Sequence, residues 1–182
     1  MQRAQNWLES KLEIQKDVYQ FTAALVGVFL MAVLAQVKIP LPFTPVPVTG
    51  QTFGLSFIAL LYGRKLGFAT IATYLFFGGL GAPVFQGFTS GLSLAPTLGY
   101  LIGMLFASYV VGALADRGYA KSFSSALACS YLGSAIIFTC GILGLSFFVP
   151  TTSLFFMGVA PFLLGDLLKN TLAAWLVSKA YN

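Results

Sequence analysis

The sequence predicts an all-α membrane protein, a compact bundle of six transmembrane helices with both termini in the cytoplasm. The first observation is composition: 58% of the 182 residues are hydrophobic and only 8% are charged, whereas soluble domains carry about 25% charged residues. The second is a series of six long apolar runs, and the third is the uneven distribution of lysine and arginine between them. Because so few charges cannot cover a water-facing surface, most of the chain is expected to lie in lipid.

A membrane-spanning helix needs roughly 17 to 25 residues, and most of the six apolar runs are about this long. The second and third runs are short and are joined at Arg64 and Lys65. A re-entrant hairpin there would put two cations in the membrane at about 2.5–3.5 kcal/mol each, so two separate spans are favoured. The predicted spans are residues 18–37, 48–63, 66–82, 98–115, 122–149 and 153–177.

Residues 1–17 differ from the rest of the chain. They are polar and of mixed charge, with four apolar residues at near-helical spacing, Trp7, Leu8, Leu12 and Ile14. This pattern predicts a cytoplasmic amphipathic helix on the membrane surface. The chain is therefore divided into this N-terminal segment and a six-span domain of residues 18–182.

The positions of lysine and arginine predict the orientation. If the amino terminus is inside, the only cation in an external segment is Lys38. Cytoplasmic segments of membrane proteins carry an excess of such residues, which places both termini in the cytoplasm. The cations assigned to the inside are Arg3, Lys11, Lys16, Arg64, Lys65, Arg117, Lys121 and Lys179.

Two of the predicted external loops are unusually apolar. Residues 38–50 contain four prolines, which favour a stiff, extended connector. Residues 83–97 contain two phenylalanines, two glycines and two prolines but no charge. Two such loops on one face indicate the lid and lining of a pocket; the alternative is that they only shorten the connections between helices.

Several classes of chemistry are excluded. The chain has no histidine, which rules out serine–histidine catalysis, H-E-x-x-H zinc sites and histidine-ligated haem. It has no phosphate-binding loop of the G-x-x-x-x-G-K-[ST] type, and only one acid lies within the predicted spans. Cys129 and Cys140 lie about 16 Å apart along one helix, too far to form a disulfide. We therefore predict no catalytic residue, cofactor or metal, and the scattered cations exclude nucleic acid as a partner.

The sixth apolar run contains two ionisable residues, whose burial in a membrane costs free energy. Asp166 and Lys169 lie near its middle, where an ionisable side chain is expensive and is by default a functional-site hypothesis. A spacing of three residues puts both on one helix face, where an acid and a base can meet. The pair predicts a site for a ligand with both donors and acceptors, or for an ion. The alternative is an ion pair that only links helices, which stability explains poorly.

Four short sequence motifs resemble those of one protein family. They are P-F-T-P-V-P-V-T-G-Q-T-F at residues 42–53, G-G-L-G-A-P-V-F-Q-G-F at 78–88, A-P-T-L-G-Y-L-I-G at 95–103 and G-D-L-L-K at 165–169. In this order, and together with six spans, they resemble the BioY family of biotin transporters. The resemblance implies a biotin-binding (S) component of an energy-coupling factor (ECF) transporter in the bacterial plasma membrane. Its partners would be a transmembrane subunit and two ATPase subunits, although some members are thought to work without them.

The resemblance also implies roles for particular residues. Asp166 and Lys169 would meet the fused-ring head of biotin. The residues implied as pocket lining are Thr44, Gln51, Phe85, Thr89 and Tyr100, with Phe43 and Phe88 as further aromatic contacts. Small residues at Ala23 and Gly27 would dock the transmembrane partner; the alternative is ordinary packing within the bundle.

Three other functions remain open at this point. The first is an S component for another vitamin, such as riboflavin or thiamine. The second is a solitary facilitator or proton-coupled carrier, with Asp166 as the titrating acid. The third is a membrane scaffold without a ligand, which would tolerate Asp166→Asn.

Overall fold

The computed structural model describes residues 2–92 and 95–181, with side chains from residue 15 onward. Six α-helices make up most of it: α1 (Gln2–Gln36), α2 (Gln51–Gly79), α3 (Leu98–Leu114), α4 (Phe123–Leu145), α5 (Leu154–Gly158) and α6 (Leu163–Tyr181). Short 3₁₀ turns lie at Gln86–Phe88, Thr151–Ser153 and Ala160–Phe162, and a π-helical turn follows α3 at Ala115–Tyr119.

The proline-rich loop after α1 is closed by a short antiparallel ribbon. Strand β1 (Lys38–Ile39) pairs with β2 (Val48–Thr49), with Lys38 opposite Thr49. The four prolines lie between the strands, as expected of residues that cannot donate to a ladder. The Gly50 amide then donates to Val37 O at 3.0 Å, so the start of α2 is held beside the end of α1.

Helix α2 folds back on itself at Gly63, which has φ 74° and ψ −171°. Gln51 Nε2 donates to Tyr74 Oη at 2.9 Å, although 23 residues of straight helix would separate them by about 35 Å. The two arms, residues 51–62 and 64–79, therefore run side by side in opposite directions. Only glycine adopts this backbone readily, and a Cβ at Gly63 would overlap Asp116 Oδ1.

Among the described residues, five helical stretches are long and apolar enough to cross a membrane: Gln15–Gln36, Gln51–Gly79, Leu98–Tyr119, Phe123–Leu145 and Thr151–Tyr181. The prediction of an all-α protein with several membrane spans is therefore confirmed. The second and third predicted spans correspond to the two arms of α2. The count of six spans and the side of the membrane on which the termini lie stay predictions.

The predicted N-terminal segment is part of a longer helix. Helix α1 continues without interruption from Gln2 to Gln36, so residues 2–17 join the first span directly, and Met1 lies outside the described residues. The position of this segment at the membrane surface and the division of the chain after residue 17 stay predictions.

Apolar side chains occur both inside the bundle and on its outer surface. The core contains Met31, Leu55, Ile58, Ile71 and Tyr74, each at most 1% exposed. Large apolar side chains also cover the outside, among them Phe29, Phe106, Phe156, Leu164 and Leu168. Water-soluble monomers rarely expose so much contiguous apolar surface, so this exterior suits contact with lipid tails.

Candidate functional site

A cavity of about 440 Å³ lies at the end of the bundle that carries the two apolar loops. Its size falls within the range of small-molecule sites. The first turn of α2, the 85–92 segment, the start of α3, the middle of α4 and the first half of α6 all contribute to its wall. The prediction that the apolar loops line a pocket therefore agrees with their positions around this cavity.

Leaving aside the further aromatic contacts Phe43 and Phe88, six of the seven predicted ligand-contacting residues lie around this one cavity. They are Asp166, Lys169, Gln51, Phe85, Thr89 and Tyr100. The seventh, Thr44, is buried beside the cavity but is not among the residues that line it. Its hydroxyl donates to Met157 O at 2.7 Å and accepts from the Val46 amide at 3.2 Å, which ties the proline-rich loop to α5.

Asp166 is held by a buried polar network. It is 3% exposed, and its Oδ2 accepts a hydrogen bond from Asn170 Nδ2 at 2.9 Å. Asn170 is fully buried and also donates to Ser134 Oγ on α4 at 2.9 Å. Ser56 Oγ on α2 donates to Asn170 Oδ1 at 3.3 Å. The network orients the carboxylate while leaving part of its accepting capacity for a ligand.

Lys169 has partners other than the one expected. Its Nζ donates to Thr52 Oγ1 at 2.6 Å and to Thr49 O at 3.2 Å. Within the described part of the chain, no ion pair joins it to Asp166, so the expected direct contact is absent. The physical reason is that the long side chain reaches across to the first turn of α2, whereas Asp166 is held by Asn170 on its own helix. Both charged groups nevertheless line the same cavity.

Gln51, which lines the cavity, is linked by hydrogen bonds to β2 and to the second arm of α2. Its Oε1 accepts from Thr49 Oγ1 at 3.0 Å, and its Nε2 donates to Tyr74 Oη. Tyr74 Oη in turn donates to Val84 O at 3.1 Å. The ring of Phe85 packs edge-on against Tyr74, with centroids 5.5 Å apart. These contacts hold the start of the 85–92 segment against the two arms of α2.

The other side of the cavity is aromatic. Tyr100 Oη donates to Gly158 O at 2.8 Å, and its ring centroid lies 6.3 Å from that of Phe162. The ring centroid of Phe138 is also 6.3 Å from that of Phe162, so three rings form one surface. Phe43 and Phe88, expected as further aromatic contacts, are 54% and 71% exposed and do not line the cavity.

Sequence reasoning missed several residues of the site. Asn170 could have been recognised from the sequence, because it is a polar residue four positions after Asp166 and therefore lies on the same face of an apolar helix. Thr52 lies within the first motif, but its contact with Lys169 depends on two segments 117 residues apart. Phe138 and Phe162 carry no signal that separates them from the other apolar residues of their helices.

The two predicted docking residues face the interior of the same chain. Gly27 is buried, and a Cβ there would lie 2.6 Å from Thr70 Cγ2 and 3.2 Å from Tyr62 Cε2. Ala23 is half-buried, and its carbonyl accepts from Tyr62 Oη at 3.1 Å. These contacts agree with the packing alternative; the docking role stays a prediction.

Known proteins similar to this chain cover most of its length. The model of the BioY family matches residues 5–182. The biotin transporter BioY of Thermotoga maritima is 35% identical over 81% of this chain and 88% of that protein, and its namesake from Rhizobium etli is 30% identical over 84% and 87%. A crystal structure described as the S-component for biotin from an ECF-type ABC transporter has a TM-score of 0.84 at 25% identity, covering 91% of this chain and 92% of that one.

Proposed function

Because the chain belongs to the BioY family, we propose that it is the biotin-binding S component of an ECF transporter in a bacterial plasma membrane. It acts as a transport component and not as an enzyme, in keeping with the similar proteins, which are named biotin transporters. The observation that carries the proposal is the cavity itself, in which a buried carboxylate and an ammonium face the space beside an aromatic surface.

The chemistry of this cavity fits biotin. The ureido group of biotin has two N–H donors and one carbonyl acceptor. The Asp166 carboxylate can accept from the donors, and the Lys169 ammonium, which has three N–H groups, can donate to the carbonyl. Tyr100, Phe138 and Phe162 supply the apolar surface for the bicyclic ring. The valerate carboxylate is left for polar groups of the 85–92 segment or for water at the cavity mouth.

The proposed topology has six spans and two cytoplasmic termini. The fold-back of α2 at Gly63 supports counting its arms as two spans, despite their short length. Arg117, Lys121 and Tyr181 surround a second pocket beside Gly63, at the end of the bundle away from the first cavity. The positive-inside rule assigns this basic end to the cytoplasm, so the biotin cavity opens toward the outside.

The proposed partners are biotin, the surrounding lipid, an ECF transmembrane subunit and two ATPase subunits. The described part of the chain offers no phosphate-binding loop, so ATP hydrolysis must come from other chains. Docking of the transmembrane subunit on α1 through Ala23 and Gly27 is part of the proposal. It requires that α1 separate from α2 at Gly27 or that the partner contact the neighbouring residues.

Competition binding tests the cargo. Purified protein in detergent is equilibrated with radiolabelled biotin, and unlabelled biotin, desthiobiotin, lipoate, riboflavin and thiamine are added as competitors. Desthiobiotin keeps the ureido group and is expected to compete, whereas lipoate keeps only the acid tail and is expected to compete poorly. Displacement by riboflavin or thiamine at lower concentrations than by biotin would overturn the assignment.

A further inference from the structure

Gln36, in the last turn of α1, forms hydrogen bonds to a segment that lines the cavity. Its Nε2 donates to Phe85 O at 3.0 Å, and its Oε1 accepts from the Phe88 amide at 3.1 Å. Phe85 and the adjacent Gln86 line the cavity, whereas Gln36 does not. A single side-chain amide therefore binds both ends of the turn that forms this part of the wall.

Two hydrogen bonds close the turn from within: the Phe85 amide donates to Thr89 O at 3.1 Å, and Thr89 Oγ1 donates to Gln86 O at 2.9 Å. Other features of the turn are unfavourable. Gly87 has φ 67° and Phe88 has φ 56°, and a positive φ is unfavourable for a residue with a bulky side chain. Phe88 is 71% exposed, so packing of its ring does not compensate. Gln86 Oε1 is buried without a hydrogen-bond partner among the described residues, which is a further cost. Contacts from outside the turn therefore add to its two internal hydrogen bonds in holding the observed conformation.

Two parts of the chain provide those contacts. Helix α2 contributes the packing of Tyr74 on Phe85 and the Gly78 carbonyl, which accepts from the Gly91 amide at 2.7 Å, and the end of α1 with the residues that follow it contributes the rest. Besides the two hydrogen bonds from Gln36, Lys38 lies over the turn, and a Cβ at Gly87 would be 2.6 Å from Lys38 Nζ. Among the described residues, side-chain hydrogen bonds between α1 and this turn come from Gln36 alone, so its loss should increase the fraction of time that the turn is open.

We propose that Gln36 is a positioning residue that retains the ligand by keeping the 85–92 segment closed over the cavity. This inference rests on the proposed binding of biotin in that cavity. Because Gln36 touches the wall and not the ligand, its replacement should shorten the residence time of biotin without removing any ligand contact. A residue that lines the cavity would instead change the contacts themselves.

The test measures the dissociation rate of radiolabelled biotin from purified wild type and Gln36→Met after addition of excess unlabelled biotin. Methionine has a similar length but forms neither hydrogen bond to the turn. We expect dissociation to be about tenfold faster (1.4 kcal/mol), with no decrease in the association rate. Gln20→Met is the matched control, because Gln20 is an exposed glutamine of the same helix, and it should dissociate like wild type.

A second variant releases the turn from its other side. Gly87→Ala opposes the positive φ and pushes a methyl group toward Lys38, so it should also speed dissociation. If both changes open the same turn, biotin should dissociate from the double variant more slowly than the product of the two single effects predicts. This variant decides the question if Gln36→Met does not fold.

Failure of the role of Gln36 and failure of biotin binding would give different results. Dissociation within twofold of wild type in folded Gln36→Met, or in Gly87→Ala if the first variant fails to fold, would overturn the role of Gln36. No biotin binding by folded wild type would instead overturn the proposed function.

Discussion

Replacing Asp166 with asparagine removes the only carboxylate among the described residues that line the cavity while keeping the size of the side chain. The substituted amide still presents an oxygen to Asn170. It also presents an NH₂ group that cannot accept a hydrogen bond from the ligand. The change therefore tests whether the carboxylate binds the ureido N–H groups.

The expected rise in the Kd for biotin follows from the surroundings of the carboxylate. Asp166 is 3% exposed, and Asn170 occupies one of its accepting positions out of about four. A hydrogen bond to a charged group contributes about 1.5–3 kcal/mol, which corresponds to a rise of about 10- to 150-fold in the Kd for biotin. The free energy of unfolding should not fall, because the variant no longer buries a charge.

Equilibrium binding of labelled biotin to wild type and Asp166→Asn measures this change, with thermal unfolding as the check on folding. Asp17→Asn is the matched control, because Asp17 is an exposed carboxylate of α1 and lies outside the cavity. Its affinity for biotin should equal that of wild type. A folded Asp166→Asn protein that binds biotin within threefold of wild type would refute the role given to the carboxylate.

Three further predictions use the same preparations. Lys169→Met should weaken biotin binding about 10- to 150-fold, because a charged hydrogen-bond donor is lost. Lys179→Met, at the exposed end of α6, should bind biotin like wild type, and equal affinities of the two variants would contradict the role of Lys169. Gly27→Leu should lower the melting temperature of the isolated protein, because its side chain meets Thr70; unchanged stability with lost subunit association would favour docking instead. Gly63→Ala should cost about 1–3 kcal/mol of stability at its unusual backbone conformation, measured by denaturant unfolding, and an unchanged midpoint would contradict the fold-back described for α2.

The helices and the charged residues of α6 could be predicted from local sequence. Apolar runs report burial in lipid directly, and an acid in such a run is conspicuous because it is costly. The break at Gly63 was harder to predict. The sequence indicated a boundary at Arg64 and Lys65, but the sharp fold-back depends on Asp116, which accepts from the Arg64 amide at 3.2 Å and is remote in the chain.

Contacts between distant segments account for most of what the sequence did not predict. Lys169 was expected to meet Asp166 because helical spacing allowed it, yet its partners come from the residues around Thr52. Thr44 was assigned to the lining because it belongs to a family motif, but its hydroxyl is used to hold the loop to α5. Gln36 carried no sequence signal, since its importance comes only from a turn about 50 residues later.

The binding of biotin in this cavity through Asp166 and Lys169 is best tested by a crystal structure of the protein with biotin. We expect the ureido group to lie within hydrogen-bonding distance of both side chains, with the bicyclic ring against Tyr100 and Phe162. Biotin bound elsewhere, or bound in the cavity with its ureido group away from α6, would contradict this expectation.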